Sequence, residues 1–263
     1  MQMTSVKTQR KLHESNRLAN LPAEKERINN LISLLPLGIG NSVLDVGASD
    51  GFISRILAEY FPVVVALDLE QPSIQHERIR CVKGDVTALD FPDASFDLVF
   101  CAEVIEHISP PKLRTACSEL ARVSSEYVLI GVPFKQDIRV GRSTCSNCGR
   151  VNPSWGHLNT FDEIRLAELF PGFAIQSSSF VGQTNERTNW LASALMDLAG
   201  NPYGTYSQLE PCVDCGAAVG TPMKRNLWQK VLTKVAFSGM RAHQALSSPH
   251  PNWIHQLLRR TVG

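Results

Sequence analysis

Three acids stand where an apolar run gives way to a turn: Asp45 inside residues 43–46 (VLDV), Asp68 after residues 63–67 (VVVAL), and Asp85, which follows Gly84 and the run at 79–82. Carboxylates so placed can take hydrogen bonds from a small polar ligand, and an acid ending the second strand can accept both hydroxyls of a ribose. Gly47 and Gly51 bracket the turn after the first run. Lacking Cβ atoms, they permit unusual backbone angles and let a ligand approach the main chain, and residues 52–60 then continue as a helix. The stretch therefore reads as a nucleotide pocket. A dinucleotide fingerprint would need glycine at 47, 49 and 52, and Ser49 and Phe52 stand at two of those positions, so that reading fits poorly.

A second group of reactive side chains is the pair of CxxCG copies, Cys145-Ser-Asn-Cys148-Gly and Cys212-Val-Asp-Cys215-Gly. In each, two thiolates can grip one ion from a tight turn, and two such knuckles complete a tetrahedral zinc site. Disulfides are disfavoured in a cytoplasmic chain, and a redox-active CxxC would need a thioredoxin-like strand and helix that neither copy has. Cys81, Cys101 and Cys117 fall in predicted strands or a helix and read as core. Two histidines, His107 (EVIEHI) and His157 (WGHLNTF), can exchange protons near neutral pH.

These groups need a frame to hold them. Apolar positions at helical spacing predict a helix over 22–35, then strand, helix and strand through residue 67, a strand at 79–82, a strand at 98–101, a helix from Pro110 to about 123 and a strand at 127–132. That alternation predicts an α/β fold with a doubly wound, Rossmann-like, mostly parallel sheet and helices on both faces. Residues 134–159 are too polar to form a core of their own, so the predicted zinc site must order them. A helix over 160–170, with Thr160 as cap and Glu163 completing a capping box, leads to a strand at 174–181. At 263 residues, 43% hydrophobic and 19% charged, the chain can bury one such domain plus an appendage. It has no apolar run of eighteen residues and no secretory-type leader, so a cytoplasmic location is the default expectation.

The stretch 43–51 resembles the first motif of the class I S-adenosylmethionine-dependent methyltransferases, and residues 96–108 (FDLVFCAEVIEHI) resemble the fourth strand and following helix of its small-molecule branch. The resemblance covers roughly residues 41–173. It implies a methyltransferase domain over 1–222, holding the insertion at 134–159 and the second knuckle at 212–216, followed by a helical tail at 223–263. It further implies that Asp45, Gly47 and the turn residues Ala48, Gly51 and Phe52 hold the methionine portion of S-adenosylmethionine. Asp68 and its neighbour Leu69 would hold the ribose, Asp85 and Val86 the adenine, and Glu103 would stand where the methionine end passes. An oxygen or nitrogen acceptor must lose a proton; His157 is the preferred base and His107 the second candidate, each with a packing role as the alternative. Trp155 is an acceptor wall or a packing residue.

Charge is unevenly spread. No acid follows Asp214, and Lys224, Arg225, Lys230, Lys234, Arg241, Arg259 and Arg260 give the tail +7, which leaves −6 for the rest of a chain with net charge +1. Residues 227–240 put Leu227, Trp228, Val231, Leu232, Val235 and Met240 mostly on one helical stripe, suited to docking on the body, to an anionic membrane or lipid-linked substrate, or to nucleic acid. The expected acceptor is a small molecule or glycan precursor, methylated on oxygen rather than nitrogen. RNA is the first alternative, disfavoured by the acidic body and the lack of a basic patch with interleaved aromatics. The second is a non-catalytic zinc-organised interaction protein, disfavoured by the intact acids at 45, 68 and 85. The sequence leaves the oligomeric state open.

Overall fold

The structure, a computed structural model, describes residues 21–36, 38, 40–202, 211–218 and 225–261; the polar stretch 1–20 and Lys224 lie outside them. In chain order the main elements are α1 (Pro22–Ser33), β1 (Ser42–Val46), α2 (Phe52–Tyr60), β2 (Val63–Asp68), β3 (Ile79–Lys83), β4 (Phe96–Ala102), α3 (Pro110–Val123) and β5 (Ser124–Pro133). There follow the short strands β6 (Ser143–Thr144) and β7 (Val151–Asn152), then α4 (Glu163–Glu168), β8 (Phe173–Val181), α5 (Trp190–Leu198), α6 (Leu227–Leu246) and β9 (Trp253–Arg260).

Seven strands make one sheet in the order β3-β2-β1-β4-β5-β9-β8, while β6 and β7 pair separately. Strands β1 to β5 are mutually parallel, and β9 runs antiparallel to both of its neighbours. Side chains of successive strand residues point to opposite faces, and both faces here are covered. Leu44, Val46, Val99 and Val128 pack with Leu113, Leu120 and Leu166 of α3 and α4. Val43, Val64, Leu98 and Leu129 pack with Leu31 and Leu57 of α1 and α2. This is the doubly wound sheet predicted from the sequence.

Chain direction fixes where a ligand can sit. From β1 the chain moves outward through β2 to β3, then returns to the other side of β1 to build β4 and β5. The loops leaving β1 and β4 therefore diverge and open a crevice at the carboxyl ends of those strands. The Gly47–Gly51 turn and Glu103 belong to that rim, and Asp45 lies beneath it. A shallow groove lined by Ser42, Val63, Arg78 and Phe96 lies at the opposite ends of the strands and contains none of the acids.

Three expectations need correction. The chain does not end as a helical tail: residues 253–260 form β9, inserted between β5 and β8, because Ile254, Leu257 and Leu258 bury themselves on the sheet. Two of the seven tail cations are consequently spent inside the domain. Arg259 pairs with Glu126 at 2.9 Å, and Arg260 donates to the carbonyls of Ala121 and Ser124, satisfying the end of α3. Helix α4 starts three residues later than predicted, because Asp162 rather than Thr160 is its cap, accepting the Arg165 amide at 2.9 Å. Helix α6 does form, and it docks through its small residues rather than its apolar stripe: Thr233 and Ala236 are buried, whereas Leu227, Trp228, Val231 and Val235 stay exposed, Trp228 by 77%. Among the described residues no helix is long and apolar enough to cross a membrane.

Ile254 is fully buried. Ile254→Ala should lower unfolding free energy by about 2–5 kcal/mol in urea denaturation, the range for truncating a core side chain. A loss below about 0.5 kcal/mol, typical of a surface position, would show that β9 is not part of the core.

Candidate active site and cysteine cluster

The turn after β1 is held from beneath. Asp45 is only 2% exposed, and the Ser54 hydroxyl of α2 donates to it at 2.5 Å. Desolvation raises the Asp45 carboxyl to about 7, aided by the nearby Asp68 charge and opposed by the Ser54 hydrogen bond. Above it the amides of Gly47 and Ala48 donate to the Leu67 carbonyl at 2.8 and 3.0 Å, tying the turn to the end of β2. Gly47 and Gly51 both adopt φ near +80° (81° and 79°), and a Cβ at Gly47 would lie 2.4 Å from Val104 just beyond β4. Glycine is required there by backbone and neighbour alike. Ser49 accepts a positive φ of 47°, and its amide donates to Asp68 Oδ2 at 2.9 Å.

The predicted cofactor residues line one rim in spatial order. Asp85 follows β3, Asp68 ends β2, Asp45 and the glycine turn lie at β1, and Glu103 follows β4. Asp45 lies under this rim rather than on it. Asp85 is exposed, and the amide and hydroxyl of Thr87 both donate to its Oδ1 at 2.8 Å, which holds its carboxyl below the usual range. Val86 is buried beside it, whereas Leu69 and Phe52 are exposed at the rim and Ala48 is buried in the turn.

Past β4 the chain makes a tight 3-10 turn, Ile105–His107. Glu103 enters it with φ +57°, strained for a residue bearing a side chain. Burial lifts its carboxyl to about 7 against the pull of Arg27, whose guanidinium lies 4.0 Å away. Glu106 is wholly buried; desolvation and the Glu103 charge drive its carboxyl well above the ordinary range. His107 and His157 meet edge to face with ring centres 4.6 Å apart. Desolvation, reinforced by the His107 charge, drops His157 to about 3, and desolvation also lowers His107. Both rings are therefore neutral imidazoles at physiological pH.

Sequence reasoning did not single out the residues that build this corner. Asn159, buried, donates from its side chain to the Ile108 carbonyl at 2.6 Å, and the Leu158 amide donates to the Glu106 carbonyl at 2.7 Å. These bonds pin the WGHLN segment against the EVIEH turn and so bring His157 to His107. Gln136 Oε1 lies 2.6 Å from His157 Nδ1, and Arg27 of α1 reaches Glu103 from the far side. Gln136 also lines a small cavity with Lys135, Thr160, Phe161, Asp162 and Arg165. The only signal for Asn159 was its place two residues after His157, which carries no pattern of its own.

The cysteines converge across 64 residues or more. Cys145 Sγ lies 3.8 Å from Cys215 Sγ, and Cys148 Sγ lies 3.6 Å from Cys212 Sγ, with all four sulfurs within 4.8 Å of one another. The knuckles repeat one backbone pattern. Cys145 N–H donates to the Arg150 carbonyl and Gly149 N–H to the Cys145 carbonyl; Cys212 and Gly216 do the same with Ala217 and Cys212. Gly149 and Gly216 have φ +73° and +67°, as the turn demands. Thiolates about 2.3 Å from a central zinc stand about 3.8 Å apart along the edges of a tetrahedron, so the donor set fits that ion. Beside it, Arg142 donates to Ser193 and Asp197 of α5 at 2.6 and 2.8 Å, joining the insertion to that helix.

A doubly wound sheet with an antiparallel strand next to its edge, a glycine turn after β1 and an acid at each of the next strand ends defines the class I methyltransferase architecture. The match to known proteins agrees. Residues 44–126 match the family model of a methyltransferase domain. An uncharacterized methyltransferase of Mycobacterium tuberculosis (strain ATCC 25618 / H37Rv) is 30% identical over 171 residues, spanning 56% of this chain and 85% of the relative. The chain belongs to the methyltransferase family. A ubiquinone biosynthesis O-methyltransferase of Idiomarina loihiensis is 33% identical over 91 residues, 30% of this chain and 37% of that protein. Among solved structures, the Burkholderia thailandensis 1,6-didemethyltoxoflavin-N1-methyltransferase superposes with TM-score 0.54 at 16% identity, covering 99% of this chain and 88% of that one. The cyclase SpnF superposes with TM-score 0.52 at 15% identity, covering 90% and 80%. The fold thus carries more than one chemistry, and the acceptor must be argued from the site.

The raised carboxyl of Asp45 has a consequence for stability. Because the fold favours its protonated form, the stability it lends is full below about pH 4 and is lost as pH rises through about 7. Asp45→Asn keeps an acceptor for Ser54 but cannot ionise. Urea midpoints of the wild type should fall relative to those of the variant between about pH 4 and about pH 7. Parallel profiles would mean that Asp45 does not titrate in this window.

Proposed function

We propose that the chain is an S-adenosylmethionine-dependent methyltransferase of the cytoplasm, moving a methyl group to an oxygen, less readily a nitrogen, of a small-molecule or glycan-precursor acceptor. The observation that carries this reading is the ordered rim of Asp85, Asp68, the Gly47–Gly51 turn and Glu103 across β3, β2, β1 and β4 at the point where the strand order reverses. In this reading the turn amides and Glu103 hold the methionine portion of the cofactor, with Asp45 anchoring the turn from below. Asp68 takes the ribose with Leu69 against it, and Asp85 and Val86 bracket the adenine.

The cofactor supplies a methyl carbon on a sulfonium, ready for in-line displacement, so the chain's own task is to hold an acceptor behind that carbon and exclude water. His157 and His107 supply the basic nitrogens needed when an oxygen or nitrogen acceptor gives up its proton. Support for oxygen comes from the ubiquinone biosynthesis relative, and support for nitrogen from the Burkholderia N1-methyltransferase. The open stripe of α6, flanked by Lys230, Lys234 and Arg241, is the surface we assign to a membrane face or a lipid-linked acceptor. A structural zinc held by Cys145, Cys148, Cys212 and Cys215 stabilises the insertion, which has few buried apolar side chains to do so.

Asp68→Ala tests the cofactor assignment. Calorimetry should show S-adenosylhomocysteine bound by the wild type and weakened about tenfold or more in the variant, since a charged hydrogen-bonding partner is worth about 1.5–3 kcal/mol. Equal affinities would remove Asp68 from the site. For the zinc, elemental analysis of purified protein should give a zinc equivalent that disappears in Cys145→Ser together with a drop in thermal midpoint. An unchanged zinc content in that variant would show that the two knuckles do not share an ion.

A further inference from the structure

We propose that Glu106, His107 and His157 form a second cation site, separate from the cysteine cluster, which takes a first-row divalent cation and through it grips the oxygen of the methyl acceptor. The role in catalysis rests on the methyltransferase reading; the site itself does not. One ligand atom from each of the three residues lies within 4.8 Å of the other two. Three donors about 2.1 Å from a shared ion stand about 3.0–3.6 Å from one another, so the cluster closes on a cation with side-chain movements on the order of 1 Å.

The second observation is the state of Glu106. Its side chain is 0% exposed, and among the described residues neither carboxylate oxygen has a hydrogen-bond partner; the amides of Val104 and of Glu106 itself offset only part of its burial. A buried ionised carboxylate without a partner costs several kcal/mol. Protonation would lower that cost, yet both oxygens still lack a partner among the hydrogen bonds of the described residues. Arg27 is no substitute, since its nearest acidic contacts are Glu24 at 2.8 Å and Glu103 at 4.0 Å. Nearby Glu103 Oε1 is also buried and without a hydrogen-bond partner among the described residues.

The third observation is the orientation of the imidazoles. His157 Nδ1–H donates to Gln136 Oε1 at 2.6 Å, and His107 donates to the Gly156 carbonyl. Each ring thereby keeps its other nitrogen as a lone-pair donor, which is how metal-bound histidines are tautomerically fixed. Asn159, bonded to the carbonyl of Ile108, and the Leu158 amide, bonded to that of Glu106, hold the two segments in register.

Two imidazoles with a carboxylate suit Mn2+, Fe2+ or Zn2+ better than Ca2+ or Mg2+. Three protein ligands leave positions open on an ion of octahedral habit, and these match an acceptor hydroxyl with a second oxygen beside it. The site follows β4, and Val104 within the same turn packs over Gly47, so an acceptor held there faces the proposed cofactor rim. With both imidazoles ligating the ion instead of serving as bases, the bound hydroxyl would give up its proton to water. Its oxygen then forms the new bond to the methyl carbon as the carbon–sulfur bond breaks; the electron pair stays on sulfur, and the sulfonium becomes the neutral thioether of S-adenosylhomocysteine.

The test uses the full chain. Elemental analysis and Mn2+ titration, read from the electron paramagnetic resonance of free Mn2+, measure metal, while calorimetry with S-adenosylhomocysteine measures cofactor in the same preparation. The expected result is one metal equivalent beyond the cysteine-bound zinc, present as purified or taken up as Mn2+. Affinity for it should fall at least about 100-fold in Glu106→Gln and His157→Ala, with cofactor affinity unchanged within about twofold. Where Glu106→Gln fails to fold, His107→Gln replaces it. No metal beyond the cysteine site in the wild type, or equal Mn2+ uptake by wild type and variants, would overturn the proposal. Cofactor binding without the extra metal would reject the cation site alone; metal without cofactor binding would keep the site and reject the methyltransferase reading.

Discussion

The hydrogen bond from Ser54 to the buried carboxyl of Asp45 joins the end of β1 to the first turn of α2, and the rim is built on that junction. A polar pair inside a core is tolerated only when its partners are satisfied. Here that condition fixes the distance between strand and helix, and so leaves the intervening residues one compact path. The path needs two glycines at positive φ, puts the Gly47 and Ala48 amides on the Leu67 carbonyl, and sends the Ser49 amide to Asp68. Strand, helix and the neighbouring strand's acid are thus set by one buried contact. A hydrophobic side chain at position 45 would pack equally well but would not dictate where the helix begins.

The opposite side of the crevice is assembled differently. No single strand delivers Glu106, His107 and His157. A strained entry at Glu103 turns the chain after β4, and Asn159 fastens a segment from beyond the insertion onto that turn. The insertion therefore has two anchors, the thiolate cluster at its outer end and the Asn159 contacts where it rejoins the domain. Between them the chain carries Trp155 at φ +59°, exposed two residues before His157.

Much of this was legible in the sequence because it is local. The runs at 43–46 and 63–67, the acids that end them and the bracketing glycines occupy neighbouring positions, and the doubled CxxCG names its own donor atoms. Other features were not legible because their partners are distant. Residues 253–260 look amphipathic to either period; only the unpaired edge of β5, more than a hundred residues earlier, makes them a strand. Arg27 pairs with Glu103 across 76 positions, and Asn159 serves carbonyls about fifty residues away. The α4 cap was misread for a smaller reason: Thr160 and Asp162 are both good caps, and the choice depended on where the chain leaves Phe161, which is bridged to Phe134.

The position of β9 bears on how the protein is made. Among the described strands, β8 pairs only with β9, and β9 fills the gap beside β5. Until residue 260 has left the ribosome, β8 has no neighbour and β5 presents a bare edge rich in Val, Leu and Ile. Such edges recruit other chains. A chain folding as it is made would keep both edges open until β9 is in place, so chaperone cover between the emergence of β5 and that of β9 bears on its yield.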